Sequence, residues 1–275
     1  MKAADRAFVD ALRQDEESGA TAIVTRAARY LAEGGRERDE LVEVAEACLA
    51  AQPAMAGLLA IIKIARLPAD PEPALAQLVQ QLQRAPASIA RHAADLIRLG
   101  MSAPDGRRPV LTLVTCSASA PVEAAIHVLA THAEVVVCCA ESRPRCEGAA
   151  LARRLADRGL ATRLFTDAGI SSAVPGSDAL LLGADAVGPA VFINKVGSAA
   201  LCARASLAGV PVYVLAGREK YVTADEFDRL SFPERRLQMD QLAHVPARMS
   251  LENPTFERIS RQLVSQLITE AGASL

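Results

Sequence analysis

Residues 110–119 read VLTLVTCSAS, a run of β-branched and apolar residues that ends in a cysteine and two serines. Short apolar runs of this kind recur along the rest of the chain, and amphipathic stretches with helical spacing separate most of them. Strands and helices that alternate in this way predict right-handed crossovers and a parallel sheet covered on both faces. We therefore expect an α/β fold with a Rossmann-like, doubly wound parallel sheet. The predicted strands are 110–114, 134–139, 161–165, 179–182 and 210–215, and the helices between them include 121–130, 149–157 and 198–207.

The N-terminal part has a different pattern, because it is rich in alanine and its apolar residues recur three and four positions apart, as in Ile23, Ala27 and Leu31. This spacing predicts a bundle of about five or six helices, with breaks at Gly and Pro residues that include Pro86. Residues 101–109, MSAPDGRRP, have the composition of an exposed linker. The predicted domains are a helical domain at 1–100, a linker at 101–109, and a Rossmann-like α/β domain with the active-site cleft at 110–275.

The composition excludes several classes of function. The 275 residues include 30 Lys and Arg against 32 Asp and Glu, so a net charge of −2 gives no global field that attracts nucleic acid. Tryptophan is absent and aromatic residues make up 3%, which removes the stacking platforms of single-strand binders. No apolar run reaches the ~18 residues of a membrane span. The N-terminus lacks the apolar core of an export signal, and no two cysteines have C-x-x-C spacing, so we expect a cytoplasmic protein.

Polar residues follow the predicted strands, and ligands of doubly wound sheets bind outside the carboxyl ends of strands. Cys116 lies between the first strand and a helix, where backbone N–H groups and the positive helix end would lower the pKa of a thiol. It is then a nucleophile or an acid–base group; the alternative is a small buried apolar residue. Asp185 leaves an apolar strand into a Gly-flanked turn, where desolvation would raise its pKa toward that of a proton-transfer group; the alternative is a turn cap.

Basic residues also stand at these strand ends. Arg143 and Lys195 are candidates for holding a phosphate, Arg143 bidentately, although a lone basic residue is more commonly a solvated charge. The four histidines share no ligand spacing, so we expect no metal site, and no cofactor is implied.

Several of these segments together resemble a known family. Glu141-Ser142-Arg143-Pro144, Gly183-Ala184-Asp185, the segment 193–198 (INKVGS) and the C-terminal Asn253-Pro254 motif occur in the order found in the initiation factor 2B-like superfamily. That superfamily holds regulatory subunits of the translation initiation factor 2B exchange complex. It also holds two sugar-phosphate isomerases, which act on methylthioribose 1-phosphate and ribose 1,5-bisphosphate.

The resemblance implies a catalytic pair, because the isomerases carry a Cys after the first strand and an Asp in the Gly-Ala-Asp motif, as Cys116 and Asp185 stand here. Cys116 would protonate the ring oxygen of an aldose 1-phosphate, and Asp185 would take the proton of the 2-hydroxyl. The implied substrate-binding residues are Arg143, Asn194, Lys195, Ser117, Gly197 and Ser198. The family also implies a homodimer or higher homo-oligomer formed through the α/β domain, and the apolar stretch 259–268 is the surface we expect to form it.

Two departures from the isomerase pattern leave a second function open. An Arg-Gly-Ala segment that helps hold phosphate in the isomerases is Ser18-Gly19-Ala20 here, and a Gln is replaced by Glu147, which would repel a nearby phosphate. The first reading is an aldose–ketose isomerase for a ribose-type sugar 1-phosphate that uses Cys/Asp acid–base chemistry. The alternative is a non-catalytic regulatory protein that senses a sugar phosphate or nucleotide.

Overall fold

The computed structural model describes residues 1–15, 18–33, 35–67, 69–99, 108–232, 248–249 and 252–274. Within these ranges, the segment before residue 100 forms the predicted helical bundle. Its helices are α1 (Ala3–Gln14), α2 (Ala20–Ala32), α3 (Arg38–Ala51), α4 (Gly57–Ala65) and α5 (Pro71–Leu99). Their apolar faces share one core, in which Leu12, Ile23, Leu31, Leu58 and Ile62 are at most 1% exposed. In the part of the chain described, no helix has the combination of length and apolar character that a membrane crossing requires.

Helix α5 runs through Pro86, where the sequence predicted a break. Its first half buries Leu75, Leu78 and Leu82 in the core of the bundle. Its second half buries Ile89 and other residues in a different core, which it shares with the sheet. Burial at both ends explains how a single helix continues past a proline. Most of the predicted linker, residues 101–107, lies outside the described residues, and the domain boundary remains a prediction.

The chain after residue 108 forms the expected doubly wound sheet. Seven strands have the order β10-β9-β7-β4-β1-β2-β3, and all are parallel except β10. A smaller antiparallel sheet has the order β5-β6-β8. The strands are β1 (Val110–Thr115), β2 (Glu134–Ala140), β3 (Ala161–Phe165), β4 (Ala179–Leu182), β5 (Ala186–Val187), β6 (Val191–Lys195), β7 (Val212–Leu215), β8 (Phe256–Ser260), β9 (Gln266–Thr269) and β10 (Gly272–Ser274), and the further helices are α6 (Ala120–Ala130), α7 (Glu147–Asp157), α8 (Ser198–Ala208) and α9 (Ala224–Asp228).

Alternation along the strands assigns side chains to the two faces of the large sheet. In β1, Leu113 packs into the core formed with α5, α6 and α7, whereas Val114 packs into the core formed with α8. All five predicted strands are present: four of them bury apolar residues in these cores, whereas β3, at the edge of the sheet, contributes only the partly buried Phe165.

The direction of winding reverses between β1 and β4. From β1 the chain moves outward through β2 and β3 on one side, and then through β4, β7 and β9 on the other. In a sheet of this type, a crevice opens outside the carboxyl ends of the two strands at the reversal. Residues 116–119 follow β1 and residues 183–185 follow β4, so the sequence segments with the candidate acid and base meet at this crevice.

The apolar stretch 259–268 is buried only at its two ends. Ile259 in β8 and Leu267 and Ile268 in β9 are 1%, 2% and 0% exposed, because they fill the chain's own cores. Residues 260–266 between them are partly or fully exposed, so the subunit contact expected at this stretch remains a prediction. The expected homo-oligomer itself remains a prediction.

Candidate active site

A cavity of about 520 Å³ lies at the reversal point, between the bundle and the large sheet. Its walls come from the start of α2, the turns after β1 and β4, the start of α7, the last residues of β6 and the first residue of β8. The two turns touch closely, since a Cβ added to Gly183 would come within 2.7 Å of Ser119 Oγ. The lining includes Ser18, Gly19, Ser117, Ser119, Glu123, Arg145, Glu147, Arg154, Asp185, Asn194, Lys195 and Lys220.

Four of the eight predicted site residues line this cavity: Ser117, Asp185, Asn194 and Lys195. The other four, Cys116, Arg143, Gly197 and Ser198, are not part of the lining. Cys116 and Ser198 are buried, at 3% and 0% exposure, immediately beside lining positions. Ser198 Oγ accepts a hydrogen bond from Asn194 Nδ2 at 2.9 Å, and it therefore orients a residue that faces the cavity.

Arg143 does not lie where we expected it. The Ser142 and Arg143 backbone N–H groups both donate to the carboxylate of Asp167, at 2.7 Å each. With the backbone fixed in this way, the Arg143 side chain is exposed outside the cavity, whereas Arg145 lines it. A phosphate in this cavity would therefore meet Arg145 and not Arg143.

The Cys116 thiol is in its neutral form at physiological pH. Burial raises its pKa to about 11, against weaker opposing effects that include Lys195, so the expected lowering by backbone N–H groups and the helix end is wrong. Sγ lies 3.7 Å from Ser142 Oγ, which donates to the Ala140 carbonyl at 3.2 Å and accepts from Ser117 N–H at 2.7 Å. Either group can be the donor in the Cys–Ser contact. A thiol that keeps its proton at this pH is suited to act as an acid and not as a thiolate nucleophile.

Asp185 lies in the cavity wall, and burial raises the pKa of its carboxyl group. The side chain has intermediate exposure through the cavity, but protein surrounds the carboxyl group closely. Lys220 and Lys195 oppose the rise without cancelling it. The Asp185 backbone N–H donates to the Ile193 carbonyl at 2.8 Å, which fixes the turn to β6. A carboxyl group with a raised pKa beside two lysines is suited to proton transfer.

Lys195 and Glu147 form a buried ion pair. Lys195 Nζ is 2.7 Å from Glu147 Oε1, and the two side chains are 2% and 20% exposed. Arg145 Nε lies 3.9 Å from the same oxygen. Glu147 therefore neutralises the lysine that we expected to bind phosphate, in addition to repelling a phosphate placed beside it.

Sequence reasoning missed Lys220, Arg145, Arg154 and the position of α2. Lys220 is 7% exposed and donates to the Ala184 carbonyl at 2.7 Å, beside Asp185. It follows β7 by five residues, so a search of the strand ends extended to that strand would have found it. The start of α2 lines the cavity only because the bundle packs on the sheet, and no local pattern encodes that contact.

Two sugar-phosphate isomerases are similar to this chain in sequence. The ribose 1,5-bisphosphate isomerase of Archaeoglobus fulgidus is 28% identical over 167 residues, which cover 60% of this chain and 53% of that protein. The putative methylthioribose-1-phosphate isomerase of Methanothermobacter thermautotrophicus is 26% identical over 281 residues, which cover 97% of this chain and 88% of that protein. The chain thus spans only about half the length of the first of these relatives.

A solved structure shares the whole fold. The translation initiation factor eIF-2B of Pyrococcus horikoshii OT3 matches with a TM-score of 0.79 and 22% sequence identity, over 99% of this chain and 97% of that one. The family model described as the initiation factor 2 subunit family matches residues 14–274. With nearly the full chain matched, the protein belongs to the initiation factor 2 subunit family.

Proposed function

We propose that this protein is an aldose–ketose isomerase that acts on a ribose-type sugar 1-phosphate. The observation that carries the proposal is the position of a neutral thiol and a carboxyl group with a raised pKa at the two strand ends that meet at the reversal point. The charge of Lys195 acts on both groups, and it opposes the rise of each pKa without reversing it. The isomerases among its relatives support the same reaction class.

The reaction needs one acid and one base. Cys116, buried directly beside the lining residue Ser117, gives its proton to the ring oxygen as the bond from that oxygen to C1 breaks. The hydrogen on C2 then moves with its electron pair to C1, while Asp185 takes the proton of the 2-hydroxyl and C2 becomes the ketone. The product is an isomer of the substrate, and proton transfer from Asp185 back to the sulfur restores both groups. Lys195 stabilises the thiolate that exists between these steps.

The phosphate has its best-supported position at the start of α2. Gly19 precedes this helix and supplies no side-chain cap, so the first N–H groups remain available toward the cavity. Lys220 and Arg145 line the same cavity and supply positive charge in place of the missing arginine. Ser117 and Asn194 then face the sugar hydroxyls, and Ser198 orients Asn194. Gly197 immediately precedes α8 and has no direct role in this proposal.

A second function has a specific observation in its favour. Glu147 neutralises Lys195, and Ser18 stands where the isomerases carry an arginine, so the phosphate site is weaker than in those enzymes. A non-catalytic protein that senses a sugar phosphate or nucleotide would tolerate both changes.

One experiment separates the two functions. The full chain is incubated with a panel of pentose 1-phosphates, and NMR is used to search for a ketose phosphate. Conversion of at least one member to its ketose supports the isomerase. Ligand-induced thermal stabilisation without any product supports the sensor and rejects the isomerase.

A further inference from the structure

The cations that line the cavity differ in whether a carboxylate already neutralises them. Lys195 and Arg145 lie 2.7 and 3.9 Å from Glu147 Oε1, and Arg154 Nη2 lies 2.8 Å from Glu123 Oε2. Lys220 is the one lining cation for which the described residues supply no carboxylate within 4 Å. Glu147 therefore reduces the positive charge that the cavity offers to a phosphate group.

Glu147 has a second carboxylate oxygen with no role inside the protein. Its Oε1 receives Lys195, whereas Oε2 is buried and has no hydrogen-bond partner among the residues with described positions. Ser119 Oγ is also buried without a hydrogen-bond partner among the described residues, and Ser119 lines the same cavity. A buried carboxylate oxygen without a donor is unfavourable, so a ligand group that donates a hydrogen bond would satisfy it.

We propose that Glu147 is a specificity-determining residue that selects a pentose with a single phosphate and a free hydroxyl at its other end. This inference rests on the proposed function and narrows its substrate class. A sugar hydroxyl donates to Glu147 Oε2 and can accept from Ser119. A second phosphate at that position has no proton to donate near neutral pH, meets a negative charge, and finds Lys195 already paired.

The same geometry selects against a sugar with an apolar group in place of the hydroxyl. A deoxy or alkylthio end has no proton to donate to Glu147 Oε2. A site built around a hydrogen bond discriminates strongly against an analogue that lacks the group. Ribose 1-phosphate is therefore the expected ligand, and ribose 1,5-bisphosphate and 5-deoxyribose 1-phosphate are the informative comparisons.

Dissociation constants of the full chain for these three sugars, measured by equilibrium dialysis, test the proposal. We expect ribose 1-phosphate to bind at least about tenfold more tightly than either comparison. In Glu147→Gln, which removes the charge and frees Lys195, the preference over the bisphosphate should fall by about tenfold or more. Glu134→Gln makes the same change in net charge at the first residue of β2, outside the cavity lining, and should leave the preference unchanged.

The outcomes separate the two proposals. Binding of the bisphosphate or the deoxy sugar as tight as that of ribose 1-phosphate would overturn the role of Glu147. Equal effects of Glu147→Gln and Glu134→Gln, or no binding of any of the three sugars, would overturn it as well. NMR of the recovered sugars reports turnover independently. The predicted binding preference without any ketose product would reject the isomerase proposal and support the role of Glu147. Turnover with a preference for the bisphosphate would support the isomerase and reject the role of Glu147.

Discussion

Among single residues, burial sets the protonation states of two groups, the Cys116 thiol and the Asp185 carboxyl group. The pKa of Cys116 is raised to about 11, so the thiol holds its proton through the physiological range. The pKa of Asp185 is raised above its ordinary value of 3.8, which brings its titration nearer to neutral pH. The environment thus separates an acid from a base, and this separation is the requirement for the proposed isomerisation.

These directions predict the pH dependence of kcat/KM. Asp185 must be ionised to act as a base, so the rate should rise as pH increases through its raised pKa, above 3.8. Cys116 must be protonated to act as an acid, so the rate should decline only as pH approaches about 11. Initial rates measured by NMR across this range test both limbs. A decline centred near pH 8 would show that the acid is not a thiol in this environment.

The sequence located about half of the candidate site, for a physical reason. Ser117, Asp185, Asn194 and Lys195 directly follow or end short apolar strands, so the rule for strand ends was enough to find them. Arg143 and Arg145 stand two positions apart, and the bonds from the loop to Asp167 decide which of the two faces the cavity. A strand pattern contains no information about such a loop.

At the scale of elements, the start of α7 holds the Cys116 region in place. Gly148 packs against β2, and a Cβ added there would lie 1.9 Å from the Ala140 carbonyl oxygen and 2.5 Å from Ser142 Oγ. Ser142 in turn contacts Cys116 and Ser117. The tight contact between helix and strand therefore maintains the hydrogen bonds around the candidate acid.

Gly148→Ala should lower the free energy of unfolding by about 2–4 kcal/mol, because the backbone of β2 or α7 must move to admit the methyl group. Chemical denaturation measures this change. Gly176→Ala is the matched control, since nothing lies within 4 Å of a Cβ at that position, and a change below about 0.5 kcal/mol is expected there. Equal stability of the two variants would contradict the packing described here.

Elements were predicted well where one local pattern determined them. Five of the seven strands of the large sheet were predicted, because each has a short apolar or β-branched run. The break at Pro86 was wrong, since α5 is stabilised by two different cores that no local pattern reveals. Strands β9 and β10 were not predicted, because their short segments are strands only through pairing at the edge of the sheet.

At the scale of the whole molecule, buried thiols link stability to alkaline pH. Burial raises the pKa of Cys48, Cys139 and Cys202 to about 12 and that of Cys116 to about 11, against 9.0 for an ordinary thiol. Below pH 9, both the folded and the unfolded chain keep these protons. Above it, the unfolded chain loses its protons first and gains stability relative to the folded one.

The free energy of unfolding should therefore be retained up to about pH 9 and fall as pH rises toward 11 to 12. Urea denaturation at a series of pH values measures the decline. Cys48→Ala should be less stable at pH 7 but show a shallower alkaline decline, because one of the four thiols is gone. A slope that does not change in this variant would remove buried thiols as the cause.

The proposed isomerisation requires both Cys116 and Asp185, and turnover of ribose 1-phosphate by four single variants measures this requirement. Cys116→Ser and Asp185→Asn should each lower kcat by about a thousandfold or more, with the ligand-induced thermal shift retained. Cys146 and Asp157 have no part in the proposed chemistry, so Cys146→Ser and Asp157→Asn should keep kcat within about twofold of the unchanged protein. More than about a tenth of the original kcat in either Cys116→Ser or Asp185→Asn would contradict the account.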